Sequence, residues 1–218
     1  MILPFVRDFV LGIGNPMEGI AAAVRRGRRC DVSGLTPGAQ VLATILLHRR
    51  AQQRVILVVP DNDSAEEWRD ALESFQDLTR TTVEDPPLVL PAFEIDPYEG
   101  LATHDEILER RAQALWKTTR GLPLLVVPAI ALATRLAVPA SYRDLARTLR
   151  RGDFLDLEGL TEYLKLVGYR RREPVEQPGE YSVRGGLLDV FSPESERPVR
   201  VELFGDEIES LREFDPGT

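Results

Sequence analysis

Arg54-Val-Ile-Leu-Val-Val-Pro60 is the stretch that decides the fold of the first part of the chain. Its continuous apolar run, Val55–Val59, is typical of a central parallel β-strand whose two faces are both covered. Two shorter apolar runs, Leu88–Leu90 and Leu124–Val127, have the same character. Helical patterns separate the three runs, and this alternation predicts an α/β fold built on an open parallel sheet. Ligand sites in such sheets lie at the carboxyl ends of the strands.

Local signals mark the helices between these strands. Ser64-Ala-Glu-Glu67 and Thr103-His-Asp-Glu106 both fit the capping box, in which a hydroxyl and a glutamate satisfy free N–H groups at a helix start. Gly121 is expected to end the second of these helices. A further short helix is predicted over Ala129–Leu136, closed by Pro139 because proline cannot continue a helix.

Beyond about residue 140 the pattern changes to one helix followed by hairpins. The helix is predicted over Asp156–Leu164, and strands over Tyr181–Phe191, Val199–Phe204 and Ile208–Phe214, the last two joined at Gly205-Asp206. Apolar and polar residues alternate in the middle strand, which leaves one face of the sheet polar. We therefore predict two domains, an α/β domain over 1–139 and a smaller α+β domain over 140–218.

The composition argues against several classes of protein. The 218 residues include 27 Lys and Arg against 35 Asp and Glu, a net charge of −8 that argues against a general binder of nucleic acid or anionic membranes. Cys30 is the only cysteine, and His48 and His104 are the only histidines, so disulfides and cysteine-rich zinc sites are excluded. We expect no metal, no cofactor and no membrane segment, and we expect a cytoplasmic protein.

Acidic residues near the predicted strand ends offer a paired-carboxylate or magnesium site as an alternative. Negative charge at a helix start is stabilised by the helix dipole, and this explains Asp63 and Glu106 better than catalysis does. The acidic residues concerned are Asp61, Asp63, Glu94, Asp96, Asp105 and Glu106. We expect no catalytic residue among them.

Gly34-Leu-Thr-Pro-Gly-Ala-Gln-Val41 stands before a helical run, where a phosphate-binding loop would stand. A working loop needs glycines that free backbone N–H groups, a lysine for the phosphates and a hydroxyl for magnesium. Gly34 and Gly38 supply the glycines, but Gln40 and Val41 occupy the lysine and hydroxyl positions. ATP hydrolysis at this loop should therefore fail. The alternative is an ordinary capped helix start.

Two clusters of arginine carry positive charge, Arg25–Arg29 and Arg170–Arg172. A solvated face is the default interpretation of the first cluster. Arg184, about a dozen residues after the second cluster, lies between a predicted strand and Gly185-Gly186. Adjacent glycines indicate unusual backbone torsions or the close approach of another chain, and an arginine held there is a good recognition group.

Four segments give the chain a family resemblance: Leu90–Tyr98, Glu106–Ala114, Pro178–Phe191 and Pro198–Arg212. They resemble the amino-terminal region of the bacterial transcription-repair coupling factors (Mfd), a region that is itself similar to the excision-repair protein UvrB. The resemblance implies a RecA-like open parallel sheet in the first domain. It also implies that the loop at Gly34 is a degenerate relic of the nucleotide site that UvrB retains.

For the second domain the resemblance implies binding of the damage-recognition ATPase UvrA. The matching contact positions are Arg171, Arg184, Arg200 and Glu202, although a one-residue gap would exchange Arg171 for Arg170. Ser182 stands where UvrB has a basic residue. An alternative interpretation of Arg200 and Glu202 is an exposed cross-strand pair with no role in docking.

The sequence thus predicts a non-enzymatic module that recruits UvrA and links stalled transcription to nucleotide excision repair. The resemblance implies that the chain is a fragment of a longer ATP-dependent DNA translocase. RNA polymerase and DNA would then be contacted only through other parts of that parent. Two alternatives remain, a nucleotide-dependent DNA-remodelling domain like that of UvrB, and a scaffold that covers another part of its own parent.

Overall fold

A computed structural model describes residues 14–51, 53–79, 86–93, 105–121 and 123–216. The chain divides into two compact units. The first comprises residues up to Ile107 together with Lys117–Leu136, and the second comprises Leu108–Trp116 together with residues from Ala137 onward. The domain boundary at residue 139 stays a prediction.

The first unit is built on a three-stranded parallel sheet in the order β1-β3-β2. Its elements are α1 (Gly14–Arg25), α2 (Pro37–Ala51), β1 (Val55–Val59), α3 (Asn62–Thr79), β2 (Leu88–Val89), the two ends of α4 (Asp105–Arg120), β3 (Leu124–Pro128) and a 3₁₀ helix (Ala129–Ala133). The middle of α4, Leu108–Trp116, belongs to the second unit. The predicted α/β layer with parallel strands is confirmed.

The central strand of this sheet is β3, in which every residue is buried. The sequence predicted a central, doubly covered position for Val55–Val59, and this prediction is wrong. In the described sheet β1 lies at an edge, and about half of the Ile56 and Val58 surface is exposed. A continuous apolar run reports how hydrophobic a strand is, but it does not say how many neighbours the strand has.

The start of α3 also differs from its prediction. The helix begins at Asn62, and the Asp61 carboxylate accepts a hydrogen bond of 2.8 Å from the backbone N–H of Ser64. Asp61 is therefore the capping residue, and the predicted capping box led by Ser64 is wrong. Hydrogen bonding to the Ser64 side chain and backbone lowers the pKa of Asp61. Asp63 lies in the first helical turn, as expected.

The end of α4 at Arg120, just before Gly121, is confirmed, whereas the capping box at 103–106 lies partly outside the described residues. The predicted helix over Ala129–Leu136 is only a short 3₁₀ helix. Pro139 does not close it but begins the next helix, α5 (Pro139–Asp144), so that prediction is wrong. A proline suits the first position of a helix because its missing N–H would have no partner there.

An apolar core stabilises the described part of the first unit. The stripe of α3 that was predicted to be buried packs into this core, with Ala65 and Leu72 fully buried and Trp68 and Phe75 partly buried. The other buried members come from α2 and from all three strands: Val41, Ile45, Val59, Val89, Leu124 and Val126. In the part of the chain that the structure describes, no helix has the length and apolar character needed to cross a membrane.

The second unit contains a five-stranded sheet in the order β4-β5-β6-β7-β8. The strand β4 is parallel to β5, and the other neighbours are antiparallel. Its strands and remaining helix are α6 (Leu157–Leu166), β4 (Arg170–Arg171), β5 (Glu180–Arg184), β6 (Leu187–Val190), β7 (Val199–Phe204) and β8 (Glu207–Glu213). The predicted strand over Tyr181–Phe191 is thus a hairpin, and the turn at Gly205-Asp206 is confirmed.

The core of the second unit lies on one side of this sheet. Alternate residues of the antiparallel strands meet α6 there, and the fully or almost fully buried members are Leu164, Tyr181, Leu188, Val201 and Ile208. The Asp156 side chain caps α6 by accepting from the backbone N–H of Gly159. The opposite side of the sheet is therefore left for polar residues, as the alternation in β7 predicted.

Tyr181 is fully buried, yet its hydroxyl has no hydrogen-bond partner in the described part of the chain. A buried polar group without a partner costs free energy on folding. We expect Tyr181→Phe to raise the free energy of unfolding by about 1 kcal/mol, measured by urea denaturation.

The matched control is Tyr169→Phe. The Tyr169 hydroxyl bonds to Ser192, and burial raises the pKa of that phenol. Tyr169→Phe should therefore lower the free energy of unfolding. If Tyr181→Phe destabilises the protein as much as the control does, the Tyr181 hydroxyl has a partner in solution.

Candidate functional site

A hydrogen-bonded cluster of charged and polar side chains in the second unit lies on the side of its sheet opposite the core. We call this surface the polar face. Its members are Ser182 and Arg184 on β5, Leu187 and Asp189 on β6, Arg200 and Glu202 on β7, and Ser210 and Arg212 on β8. Five of them, Ser182, Arg184, Leu187, Asp189 and Arg200, line a cavity of about 140 Å³.

The glycine pair in the β5–β6 turn fixes the geometry of this face. Gly185 has a φ of +57°, a backbone conformation that residues other than glycine rarely adopt. At Gly186, an added Cβ would lie 3.1 Å from the carbonyl oxygen of Leu203, so a neighbouring strand approaches closely there. The Gly186 carbonyl also accepts a hydrogen bond of 2.9 Å from the Leu203 N–H. The unusual torsion that the sequence suggested is present at Gly185, whereas the approach of another chain stays a prediction. Arg184 is held directly opposite Leu187.

A buried carboxylate, Asp189, organises the centre of the polar face. Its side chain is 8% exposed and accepts two hydrogen bonds from the Arg200 guanidinium, Nε–Oδ1 at 2.7 Å and Nη2–Oδ2 at 2.8 Å. The same guanidinium lies over the Phe214 ring, 4.9 Å from its centroid. Hydrogen bonding to Asp189 raises the pKa of Arg200 above its ordinary value. Arg200 is therefore a fixed positive charge with one preferred orientation.

Arg184 is more accessible than Arg200, whose side chain is 35% exposed. The Arg184 side chain is 56% exposed and lies 3.3 Å from the Glu173 carboxylate and 4.0 Å from that of Asp189. An exposed ion pair of this kind contributes little to folding, so the guanidinium can exchange Glu173 for a partner's carboxylate at small cost. Arg184 has the properties of a recognition group.

Glu202 is held by the neighbouring strand β8. It accepts a hydrogen bond of 2.6 Å from the Ser210 hydroxyl and another from Arg212. The Ser210 bond, followed by the Arg212 bond, lowers the pKa of Glu202. Arg200 therefore pairs with a residue of β6, whereas Glu202 pairs with residues of β8.

Arg171, the fourth predicted contact, lies on the edge strand β4. Its side chain is exposed and donates a hydrogen bond of 3.1 Å to the Val183 carbonyl. The structure therefore places Arg184, Arg200 and Glu202 together on the polar face and Arg171 at the edge of the same sheet.

Sequence reasoning missed Asp189 as the organiser of this face. A signal was available, because a two-residue turn at Gly185-Gly186 sets Ser182 opposite Asp189 and places Asp189 on the polar side. The contact between Arg200 and the Phe214 ring had no comparable signal, since it depends on how the chain leaves β8.

The four residues of the predicted nucleotide loop lie in the first unit. Gly34 is exposed with a φ of +78°, whereas Gly38, Gln40 and Val41 already belong to helix α2. The Gln40 N–H makes the first helical bond to the Thr36 carbonyl, and its side chain donates to the Leu35 carbonyl at 3.1 Å. Val41 is buried in the core. An ordinary helix start accounts for these contacts, and the relic nucleotide loop stays a prediction.

The described residues contain no group of three or more His, Cys, Asp or Glu side chains that could hold a metal ion. Of the carboxylates considered in the sequence, Asp61 caps α3, and Glu94 and Asp96 lie outside the described residues.

Comparison with known proteins identifies the segment that carries the polar face. Residues 148–218 match the family of the UvrB interaction domain. The chain is 34% identical to the transcription-repair-coupling factor of Myxococcus xanthus over 93% of its length. The chain is a relative of the transcription-repair-coupling factors.

Other relatives carry the same name. The transcription-repair-coupling factor of Haemophilus influenzae is 33% identical over 86% of this chain, and that of Escherichia coli K12 is 31% identical over 88%. The resemblance that the sequence suggested is therefore confirmed. The chain spans about one sixth of the length of these relatives, 17%, 16% and 16% respectively. Every residue of the polar face lies inside the segment that matches the UvrB interaction domain.

Proposed function

We propose that this chain is a non-catalytic module of a transcription-repair-coupling factor that recruits UvrA through the polar face. One observation carries the proposal: an accessible arginine, Arg184, lies beside the Arg200–Asp189 pair within the segment that matches the UvrB interaction domain. A protein surface with carboxylates facing Arg184 and a base facing Glu202 would complement this pattern of charge.

The remaining parts of the proposal follow from the family relationship. The parent would contact RNA polymerase and DNA and would hydrolyse ATP through segments outside this chain, and it would act in the cytoplasm. The first unit would be a RecA-like layer whose nucleotide loop has lost its function. Its role would be to hold the second unit.

The test is a binding titration of the chain with purified UvrA at two salt concentrations. We expect binding that weakens as salt rises, because exposed charges are screened over about 8 Å at physiological ionic strength. A scaffold that only covers another part of its own parent would show no binding to UvrA at either salt concentration, and that result would overturn the proposal.

We predict that the chain neither binds nor hydrolyses ATP, in contrast to a UvrB-like remodelling domain. Gln40 and Val41 lack the charge and the hydroxyl that phosphoryl transfer needs, and Val41 is part of the core. Isothermal titration with ATP and magnesium, and an ATPase assay with duplex DNA, measure the two activities.

Restoring the loop by Gln40→Lys with Val41→Thr should not create activity. Because Val41 is buried, its replacement by threonine places a hydroxyl in an apolar core and should lower the melting temperature. DNA-stimulated hydrolysis by the unmodified chain would favour the UvrB-like alternative.

A further inference from the structure

Two phenylalanines of the second unit are almost fully exposed. Phe154 is 83% exposed and Phe204 is 81% exposed. Their chain neighbours Leu155 and Leu203 pack into the core, so both aromatic rings lie on the opposite side of the sheet, which is the side of the polar face. Contiguous apolar patches on a protein surface mark interaction sites, whereas single exposed apolar side chains are ordinary.

These rings continue the polar face across the strands. Leu187, which is 37% exposed, is paired with Glu202, and Phe204 follows Glu202 by two residues on the same strand. Phe204 is paired with Glu207, and Glu207 forms an isolated antiparallel bridge with Phe154. We call Leu187, Phe204 and Phe154 the apolar row.

The apolar row and Arg184 are close enough for one partner to cover both. Leu187 is the direct partner of Arg184 in the β5–β6 hairpin. Paired residues lie about 5 Å apart and alternate residues along a strand about 7 Å apart. A standard interface buries about 800 Å² on each partner. An interface of that size is large enough to include both Arg184 and the apolar row.

We infer that the apolar row is the hydrophobic anchor of the docking face, and that the UvrA surface it meets has an apolar pocket flanked by carboxylates. The inference rests on the proposed function and adds to it the side chains that supply affinity. Interfaces typically combine aromatic and arginine anchors near their centre, and apolar burial contributes affinity where exposed charges contribute mainly orientation and rate.

The experiment compares Phe204→Ala and Phe154→Ala, singly and together, with the parent chain. The matched control is Leu166→Ala, because Leu166 is 82% exposed but belongs to α6, which packs on the core side of the sheet. We expect each phenylalanine variant to raise the dissociation constant for UvrA about tenfold and the double variant about 100-fold. The control should bind like the parent.

The salt dependence of binding distinguishes the contribution of the apolar row from that of the charged side chains. The loss caused by Phe204→Ala should be the same at low and high salt, since burial of apolar surface is not screened. Circular dichroism and melting temperature should be unchanged in both single variants, because the two rings are exposed.

Four results overturn the inference. If Arg184→Glu weakens binding while the phenylalanine variants bind like the parent, the proposed function stands and the apolar row is not its anchor. If the parent chain does not bind UvrA, the proposed function fails and the inference fails with it. If the variants change self-association in sedimentation, the row serves a second copy of the chain. If they lower the melting temperature, the rings are structural.

Discussion

Arg184→Glu is expected to abolish detectable binding of UvrA and to leave the fold intact. Replacing an interface arginine of this kind typically costs about 2–4 kcal/mol, and the reversed charge adds repulsion from the carboxylate that the arginine faced. The side chain is 56% exposed, and its pairs with Glu173 and Asp189 are long, so folding depends little on it. Isothermal titration with UvrA, together with circular dichroism and melting temperature, measures both effects.

Three variants serve as controls for this result. Arg171→Glu should weaken binding less, because its guanidinium is engaged with the Val183 carbonyl at the sheet edge. Glu173→Gln should tighten binding slightly, since it removes a carboxylate that competes for Arg184. Arg25→Glu, in the first unit, should leave the affinity for UvrA unchanged. If Arg184→Glu binds like its parent or unfolds the chain, Arg184 is peripheral or structural and the docking face lies elsewhere.

Sequence reasoning was most successful where a local pattern also determines the tertiary environment. Alternation in Val199–Phe204 gave both the strand and its buried side, and the turn at Gly205-Asp206 gave β8 as its neighbour. The register shift between Glu202 and Leu203 was not predicted. Gly185-Gly186 indicated unusual backbone torsions, and Gly185 has a positive φ. In these cases the period of two and the turn chemistry determine which side of each strand is buried.

Prediction from the sequence failed where several local signals compete for the same structural position. Asp61 and Ser64 are both good capping residues, and the structure uses Asp61, which directly follows the strand and Pro60. Val55–Val59 and Leu124–Val127 are equally apolar, and nothing local tells the edge strand from the central one. Pro139 fits the end of one helix and the start of another equally well.

The candidate site was only partly predictable for the same reason. Arg184, Arg200 and Glu202 could be found from the motif, but the partners that orient them come from β6, from β8 and from residues outside the strands. Asp189 looks like an ordinary polar residue in Leu187–Val190 until the pairing of β6 with β7 sets it opposite Arg200. The predicted contact positions therefore say which charges are present, whereas the structure shows which of them are fixed.

Asp189→Ala should have the largest effect on stability among variants of the polar face, lowering the free energy of unfolding by about 2 kcal/mol. Breaking a fully buried ion pair costs about 3–5 kcal/mol, and an exposed pair is worth about 0–1 kcal/mol. The Asp189–Arg200 pair lies between these limits, because the carboxylate is 8% exposed and the guanidinium is 35% exposed. Urea denaturation of the variant and its parent measures the difference.

A double-mutant cycle with Arg200→Ala isolates the pair from other losses. We expect a coupling free energy of about 1 kcal/mol or more between Asp189→Ala and Arg200→Ala, and a smaller one for the more exposed pair of Glu202 and Arg212. UvrA binding should also weaken in Asp189→Ala, since Arg184 and Arg200 would then repel each other without the carboxylate between them. If the two substitutions prove additive, the Arg200–Asp189 pair does not hold the face in its binding geometry, and Arg184 must be positioned by the glycine turn alone.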